Sequence, residues 1–511
     1  MVRPMTDRPN VDFESFRLRN FVESLRDAGE LEIVDTPTDY ADVAAQLYYN
    51  PRAVWFRNVG PEGAELVGNV VASRSRIARA FGVAPEALVD ELQKRLRNTP
   101  EIIEVSRDQT PVQQIVLMGD EADVTQLPVH VQHAMDGGPF MSAPLDFSID
   151  PKTGRTNSGF RRLMLRGKHE TGVDLHAPTD LKQIYIATQA EGNRLPVSFV
   201  LGCHPIDMVS GVMKEPVDEL GLISSLRGAP LPVVKCITND IRVPADAEWV
   251  IEGYFDELGY REHEGPYGEY LGYYGLMKTN PVFHVTAITR RHDALFQTLT
   301  ISGKALHHTD TSNLEALRME LAVWEVVKRT VTHPVAVHAP VSAGGSMSVR
   351  VAIKPTRPGD ARHLLFAILS QTTVKHAYVV NDDIDITKDA EVEWAMGTRF
   401  QADRDIVILT DVRVSLFDPS LNGARTGSKA GFDLTWAPGQ AERWELELPV
   451  PPTYAGDRFA SIEAALRDGP KRFEQLMAAV GSRDGREVVR ELDGMRESGL
   501  KRDDQGRYYL E

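Results

Sequence analysis

The chain has 511 residues, of which 42% are hydrophobic and 25% are charged, and it carries a formal net charge of −16. This composition is that of globular proteins and excludes a wholly disordered or fibrous chain, while the length predicts two to four domains. The acidic balance disfavours a general binder of nucleic acid or of anionic membranes, so small-molecule chemistry is the favoured class of function.

The first 125 residues alternate helical patterns with short apolar runs. Helical periodicity covers 13–30 and 73–96, and the runs AVWFRNV and QIVLMG predict strands at 53–59 and 114–119. At the N-terminus, acidic residues precede any apolar segment, and the longest apolar runs are too short to cross a bilayer. We therefore expect a small α/β domain in residues 1–125, no membrane segment and a cytoplasmic location.

Strand patterns dominate residues 126–310 and predict a central β-rich domain, either a barrel or a sandwich. The runs are GFRRLMLRG, QIYIATQA, LPVSFVLGC, LPVVKCI, AEWVIEGYF and PVFHVTAITRR, separated by Gly, Pro and Asp turns. The two cysteines, Cys203 and Cys236, lie in apolar runs without metal-site spacing. They are therefore interpreted as buried thiols, which suits a reducing compartment.

A second α/β domain is predicted for residues 311–440. A long helical pattern at 312–331 precedes strand patterns at 347–354, 376–382 and 405–412, with a further helix at 361–371.

The Pro-rich stretch LPVPPTYAGD is typical of a linker. The remaining extension, 441–511, shows two helical patterns and a Gly-centred hairpin, like a winged helix. Because its basic and acidic residues nearly balance, a DNA-binding role is disfavoured against a packing or dimer-supporting role.

The stretch HEGPYGEYLGYYG at 263–275 places Glu264 and Glu269 on either side of a Gly-Pro-Tyr-Gly turn. Neither a regular strand nor a regular helix brings residues five apart together, but a glycine- and proline-containing turn or bulge can aim both carboxylates into one space. The alternatives are a general acid/base pair and a solvated surface loop. Three tyrosines follow, Tyr270, Tyr273 and Tyr274, for which packing in the barrel is favoured over contact with substrate.

Three polar residues upstream offer ligands for a divalent cation. Asn157, His176 and Glu219 supply an amide oxygen, an imidazole nitrogen and a carboxylate. Taken alone, His176 is equally explained as a loop histidine and Glu219 as a helix-start carboxylate.

The order of these motifs resembles the UbiD-like family of reversible decarboxylases, which use prenylated FMN. The matching pieces are NSGFRR, LPVSFVLGCHP, DELGLISSLRG, EGPYGEYLGYY, NDDIDITKDAEVEWAMGTR and TGSKAGFD, with His176 lying between the first two. The resemblance covers most of the chain. It implies a flavin-reductase-like split β-barrel at the centre, a C-terminal α/β dimerisation domain, and at least a homodimer.

The resemblance also implies roles for individual residues. Arg162, Glu264 and Glu269 match the catalytic trio, in which Arg162 holds the substrate carboxylate, Glu264 orients the guanidinium and Glu269 protonates the carbon after CO₂ leaves. Asn157, His176 and Glu219 match the ligands of Mn²⁺ or Mg²⁺, with K⁺ as a further ion. Asn157, Arg162, Ser210 and Lys429 match positions that contact the cofactor, the last two at its phosphate.

The implied chemistry forms a covalent adduct between an aromatic or α,β-unsaturated acid and the modified flavin, because no side chain can stabilise the sp² carbanion that decarboxylation leaves. A flavin prenyltransferase would supply the cofactor. Phenazine-1-carboxylate is the suggested substrate; pyrrole, indole, hydroxybenzoate and cinnamate acids are alternatives, and a conventional FMN oxidoreductase is the alternative enzyme class. Two positions depart from the family pattern: Arg161 precedes the catalytic arginine, and the short interval to His176 leaves Asp180 as its rival.

Overall fold

The computed structural model describes residues 11–440, 443–446 and 448–511. The chain divides into two compact units between Thr435 and Trp436. The domain boundaries predicted at residues 125, 310 and 440 stay predictions.

A four-stranded sheet begins the larger unit. The elements of this region are α1 Leu18–Asp27, β1 Leu31–Val34, α2 Tyr40–Leu47, β2 Ala53–Val59, β3 Ala64–Gly68, α3 Arg74–Ala80, α4 Leu88–Arg95 and β4 Ile102–Glu104. Helix α1 buries Leu18, Phe21, Val22 and Leu25, whose spacing follows one helical face. Strands β1 and β2 pair in parallel, so the predicted α/β character of this region is confirmed.

The central region contains most of the strands. Its elements are β5 Ile115–Met118, β6 Phe140–Met141, β7 Leu145–Ile149, β8 Thr156–Phe160, β9 Leu163–Leu165, β10 Glu170–Val173, α5 Asp180–Ala190, β11 Leu195–Leu201, α6 Pro205–Ser210, α7 Glu219–Arg227, β12 Leu231–Lys235, β13 Arg242–Pro244, β14 Trp249–Phe255, β15 Glu262–Glu264, β16 Tyr267–Gly268, β17 Tyr274–Gly275, β18 Lys278–Asn280, β19 Val282–Arg290 and β20 Phe296–Gln297.

Nine of these strands form one antiparallel sheet in the order β6-β9-β10-β19-β14-β11-β7-β8, with β5 also paired to β19. The register between β14 and β19 shifts at Glu252 and Gly253. A Cβ atom at Gly253 would lie 2.0 Å from the carbonyl oxygen of His284, so only glycine fits there. The bulge bends the sheet, which curls into a half-barrel, and the barrel-type fold predicted for this domain is confirmed.

One predicted strand is wrong. The run QIYIATQA at 183–190 lies in helix α5, not in the sheet. Its β-branched and aromatic residues are typical of strands, but Leu181, Ile184, Tyr185 and Thr188 are buried at helical spacing. The helix begins where the Thr179 side chain accepts a hydrogen bond from the backbone N–H of Lys182, an N-cap that the strand interpretation overlooked.

The rest of the larger unit is a five-stranded sheet with helices. Its elements are α8 Asp310–Thr330, β21 Pro334–His338, β22 Ser348–Ile353, α9 Asp360–Leu369, β23 His376–Asn381, α10 Asp389–Arg399, β24 Ile406–Arg413 and β25 Thr426–Leu434. The sheet order is β21-β22-β23-β25-β24. Strands β22, β23 and β25 run in parallel, so the predicted second α/β region is confirmed.

The smaller unit is helical with a terminal hairpin. It contains α11 Ile462–Arg467, α12 Phe473–Val480, α13 Gly485–Gly494, β26 Leu500–Arg502 and β27 Tyr508–Leu510. The two helical patterns and the hairpin were predicted, whereas the short α11 was not. The unit has its own apolar core, formed by side chains that include Ile462, Leu466, Leu476 and Leu492.

Both cysteines are buried, and no disulfide joins them, as predicted. In the part of the chain that the structure describes, every helix is too short or too polar to pass through a bilayer.

Candidate active site

Arg162 stands at the centre of a network of carboxylates. It lies between β8 and β9, and its Nε and Nη2 atoms donate to Glu264 at 2.8 and 3.2 Å. Nη1 donates to Glu269 Oε1 at 2.8 Å, and Nη2 also reaches Asp174 Oδ2 at 3.1 Å. Burial opposes the charged form of this side chain, but the three carboxylates outweigh burial and raise the pKa of Arg162.

The predicted turn brings both glutamates to Arg162. Glu264 ends β15, and Gly265 has a φ of +89°, which only glycine adopts without strain. Glu269 follows β16 and packs against β17, where a Cβ atom on Gly275 would lie 2.5 Å from Glu269 Oε1. Glu264 is fully buried and Glu269 is 8% exposed, so the solvated-loop interpretation is wrong.

Two charged residues in this network were not anticipated from the sequence. Lys278 Nζ donates to Asp174 Oδ2 at 2.6 Å and lies 3.9 Å from Glu269 Oε1. Burial raises the pKa of Asp174, but Arg162 and Lys278 outweigh that effect and lower it overall. Single charged residues in a strand and a loop carry no sequence pattern, so nothing short of the fold groups them with Arg162.

A cavity of about 330 Å³ opens beside Arg162. Its walls are largely apolar and aromatic, with Phe160, Tyr267, Tyr270, Leu299, Leu314 and Phe417 among the lining side chains. The guanidinium carbon of Arg162 lies 4.8 Å from the centre of the Tyr267 ring. The arrangement therefore combines a carboxylate-binding cation with space for a planar, apolar molecule.

The tyrosines differ from their predicted packing role. Tyr270 lines the cavity, Tyr273 is 64% exposed and Tyr274 is 39% exposed, so none of the three fills the sheet core. Tyr267, within the turn, is the buried one and packs against Phe140. Strands β15 to β18 pair among themselves outside the nine-stranded sheet, which is why the later aromatic residues of this segment do not enter the sheet core.

The neighbouring arginine has a different environment. Arg161 Nε lies 3.3 Å from Asp146 Oδ1, and Asp146 Oδ2 accepts a hydrogen bond from Asn157 Nδ2 at 2.9 Å. Asp146 is fully buried, and burial raises its pKa to about 6 although Arg161 opposes the shift. Of the two arginines, it is Arg162 that meets both glutamates, as the sequence predicted.

Glu219 is a buried carboxylate without a cationic neighbour. It is the first residue of α7, it is 8% exposed, and it has no hydrogen-bond or ion-pair partner among the described residues. Burial raises the pKa of Glu219 to about 8, and the charges of Asp146 and Asp180 add to the shift. An unpaired carboxylate facing other carboxylates suits a bound cation, so this position fits a divalent metal.

Asp218 fixes Glu219 beside Asn157. Its Oδ1 atom accepts from the backbone N–H groups of Leu220 and Gly221 and caps α7. Its Oδ2 atom accepts from the backbone N–H of Thr156 at 2.8 Å, at the start of β8. One side chain thereby joins the two elements that carry Asn157 and Glu219.

His176 contacts a backbone carbonyl and an aromatic ring. Its Nε2 atom is 3.0 Å from the carbonyl oxygen of Thr279, and its ring meets the Tyr260 ring edge-on at 5.6 Å between centres. The side chain is exposed. Asp180, the first residue of α5, is the alternative to His176 as a metal ligand, and its charge contributes to the raised pKa of Glu219. Within the described residues, no group of three or more His, Cys, Asp or Glu side chains is arranged to hold a metal.

The two residues predicted to contact the cofactor phosphate have intramolecular partners. Ser210 ends α6 and donates from Oγ to the carbonyl of Asp207 at 2.6 Å. Lys429 on β25 is buried and donates from Nζ to the carbonyls of Leu369 and Gln371, at the end of α9. Burial lowers the pKa of Lys429 to about 8. The predicted phosphate contacts of both residues stay predictions.

Three family models match the chain in sequence order. They describe the N-terminal, Rift-related and C-terminal domains of 3-octaprenyl-4-hydroxybenzoate carboxy-lyase, and they match residues 22–96, 103–305 and 312–434. The matched regions end before the smaller structural unit begins.

Proteins similar to this chain include UbiD-class enzymes of known structure and a decarboxylase. The UbiD-class enzyme HmfF from Pelotomaculum thermopropionicum, solved in complex with FMN, is 30% identical with a TM-score of 0.79, over 85% of this chain and 98% of its own. An evolved dimeric form of HmfF, in complex with prFMN, is 29% identical with a TM-score of 0.76, over 85% of this chain and 97% of its own. The anhydromevalonate phosphate decarboxylase of Methanosarcina mazei is 29% identical over 84% of this chain and 98% of its own length.

Proposed function

The chain belongs to the UbiD family of carboxy-lyases, and from this premise we propose that it decarboxylates an aromatic or heteroaromatic carboxylic acid with prenylated FMN as cofactor. The observation that carries the proposal is the Arg162 fork, held by Glu264 and Glu269 at the wall of an aromatic-lined cavity. Because the family consists of decarboxylases, a conventional FMN oxidoreductase is no longer a competing class.

The cavity favours an apolar acid over a phosphorylated one. Its two lining cations, Arg161 and Arg162, are both already paired with carboxylates, and Glu315 adds a negative charge to the wall. A substrate phosphate would therefore find no uncommitted cation in this wall, although the relative from Methanosarcina mazei is named for a phosphorylated acid. Phenazine-1-carboxylate and the pyrrole, indole and hydroxybenzoate acids are the candidates that such a wall suits.

Substrate binding would rearrange the partners of Arg162. Its Nε and Nη2 atoms are held by the buried Glu264, so the donor most accessible to substrate is Nη1, which directs one N–H group to Glu269, the less buried of the two glutamates. A substrate carboxylate that binds Nη1 displaces Glu269 from the guanidinium. Loss of that cation and arrival of a second carboxylate both favour a proton on Glu269.

The displaced Glu269 would then act as the general acid. When the C–C bond breaks and CO₂ leaves, prenylated FMN, when bound, supplies the electron sink that holds the electron pair. Glu269 gives its carboxylic proton to the ring carbon, which gains a C–H bond in place of the broken C–C bond. Glu269 is then a carboxylate. Once CO₂ and product have gone, the carboxylate pairs with Arg162 Nη1 again, as in the ligand-free arrangement.

The cofactor's cation would be held between β8, α5 and α7. The Nδ2 group of Asn157 donates to Asp146, so the amide oxygen of Asn157 is the atom available to a metal. Glu219 supplies a carboxylate without another partner among the described residues. The third ligand is His176 or Asp180. Mn²⁺ and Mg²⁺ both suit this oxygen-rich set, and Ser210 and Lys429 remain the proposed phosphate contacts.

The test is decarboxylation by protein made with and without a flavin prenyltransferase. We expect CO₂ release from at least one acid of a panel of phenazine, pyrrole, indole, hydroxybenzoate, cinnamate and phosphorylated unsaturated acids, and only in the co-expressed preparation. Arg162→Ala should abolish turnover of that acid, whereas Arg166→Ala, which removes a nearby arginine outside the cavity wall, should not. Full activity with unmodified FMN would disprove the cofactor assignment.

The assembly is proposed to be at least a homodimer, held largely by the C-terminal α/β region. The support is the dimeric form of HmfF and the exposed apolar side chains of this region, such as Phe366 and Ile408. Multi-angle light scattering at micromolar concentration should give at least twice the monomer mass. A mass of one chain would contradict the proposal.

A further inference from the structure

A second cavity lies beside the catalytic one. Its volume is about 350 Å³, close to the 330 Å³ of the cavity at Arg162. Ile301 lines both cavities, and the Tyr267 hydroxyl in the catalytic wall donates a hydrogen bond to Gln132 in the wall of the second. The two spaces are therefore neighbours of similar size that share a wall.

The two cavities differ in charge. The catalytic wall contains two arginines, an aspartate and two glutamates, whereas the second wall contains no Arg, Lys, Asp or Glu. Instead, the second wall presents the rings of Tyr48, Tyr49 and Tyr274 together with small, aliphatic, hydroxyl and amide side chains and three histidines, His130, His133 and His308. Burial opposes a charge on His133, but Asp136 pairs with this ring, raises the pKa of His133 overall and balances its charge. A carboxylate entering this space would lose its hydration without gaining a free cation, so a neutral, ring-shaped molecule is the better occupant.

One buried polar side chain lines this space without a partner. His130 is 3% exposed and has no hydrogen-bond partner among the described residues. Burial, with a smaller contribution from His133, lowers the pKa of His130 to about 4, so the ring is neutral and offers one donor and one acceptor. By contrast, His133 is occupied by Asp136 and by the carbonyl of Ile301.

We propose that this second cavity binds the uncharged aromatic product of decarboxylation, with His130 as the hydrogen-bonding group for a ring hydroxyl or ring nitrogen. The inference rests on the proposed function, because that reaction removes the one charge that the catalytic arginine recognises. A product of nearly unchanged size no longer matches the charged wall at Arg162, and it matches the neutral wall on the other side of Ile301.

The test is equilibrium dialysis of the cofactor-loaded protein with 2-naphthol as the neutral probe, in the presence of saturating 2-naphthoate. The naphthoate occupies the charged cavity, so bound naphthol reports the neutral one. Ala45→Trp places a large ring at the cavity wall from an exposed position on α2. Gln46→Trp, also exposed on α2 but outside the cavity wall, is the matched control.

We expect about one naphthol per chain for the parent and for Gln46→Trp, and at least about tenfold weaker binding for Ala45→Trp. His130→Phe, which keeps a ring but removes both nitrogens, should weaken binding about tenfold, the effect of one lost buried hydrogen bond. Displacement of all naphthol by naphthoate, or unchanged binding in Ala45→Trp, would overturn the proposal. Naphthoate binding and its loss in Arg162→Ala are read separately, and their failure would count against the proposed function instead.

Discussion

Arg162 is held by carboxylates of its own protein on all three nitrogen atoms, and this is the most informative feature at the scale of single residues. Its side chain is 12% exposed, and all three of its nitrogen atoms donate to Glu264, Glu269 or Asp174. An arginine so well paired is pre-oriented, because little side-chain entropy is left to lose on binding. Four of its five N–H groups donate to these carboxylates, which leaves one N–H group of Nη1 without a partner among the described residues. A substrate carboxylate that binds at Nη1 therefore meets Glu269, the less buried of the two glutamates.

The role of Glu269 is tested by Glu269→Gln. The amide keeps the volume and a hydrogen bond acceptor for Arg162 but has no carboxylic proton, so we expect kcat to fall by on the order of 10²–10⁴-fold. Cofactor content and melting temperature should stay close to the parent. Glu262→Gln, at the exposed start of β15, is the matched control and should leave kcat unchanged. A residual rate within about tenfold of the parent would make a bound water or Glu264 the donor instead.

Displacement of Glu269 predicts proton uptake when substrate binds. In the ligand-free arrangement Glu269 is paired as a carboxylate with Arg162, and the proposed complex holds it as an acid. Calorimetry in buffers of different ionisation enthalpy should therefore show uptake of about one proton per chain near neutral pH, and no uptake for Glu269→Gln. Equal uptake in the two proteins would show that the proton goes elsewhere.

The sequence predicts the catalytic trio but not its surroundings. Arg162, Glu264 and Glu269 were recognisable because each belongs to an ordered motif, and the fold brings both glutamates within hydrogen-bonding distance of Arg162. Asp174 and Lys278 belong to no motif. They join the network only because the loop after β10 and strand β18 meet at Arg162, which is a property of tertiary structure.

At the scale of elements, the starts of two helices converge on one strand. Helices α5 and α7 both pack against β8, and they begin with Asp180 and Glu219. Helix N-termini carry partial positive charge, which stabilises these first-turn carboxylates but does not balance several of them placed together. The proposed cation between the two helices would supply the missing charge, and Asn157 on β8 is its proposed amide ligand.

This convergence gives a test that separates the two candidate ligands. If Asp180 is the third ligand, Asp180→Asn should lower manganese retention at least about tenfold, while His176→Ala should retain it. The measurement is metal content by atomic absorption after dialysis of each purified protein against Mn²⁺-free buffer. The reverse result would make His176 the third ligand, and its ring nitrogen would then have to leave the carbonyl of Thr279.

Helix α5 also shows where sequence reading fails at this scale. The run QIYIATQA contains β-branched and aromatic residues in the proportion expected of a strand, and propensity alone favoured one. Thr179 and Asp180 form a capped helix start immediately before it, and this signal outweighs side-chain propensity. The error matters for function, because a helix start places Asp180 toward Glu219, which a strand there would not explain.

At the scale of the whole molecule, the succession of α/β, β-rich and α/β regions could be predicted from the sequence. In each region the apolar residues repeat at the spacing typical of its helices or strands. The curl of the central sheet was not readable in the same way, since it depends on a bulge at Glu252 and Gly253 and on pairings between distant strands. The resemblance to a family supplied that part of the prediction, and the comparisons with known proteins support it independently.

The smaller unit, residues 436–511, provides the last test. It has its own apolar core, and the family models end at residue 434, while the proposed catalytic residues and the linings of both cavities belong to the larger unit. We therefore expect a chain that ends at Thr435 to fold cooperatively and to keep kcat and cofactor content near the parent values. A truncated protein with an unchanged circular dichroism spectrum and melting temperature but no turnover would contradict this, and would give the extension a part in catalysis. Lost solubility or a changed mass in light scattering, with turnover intact, would instead assign it a role in assembly.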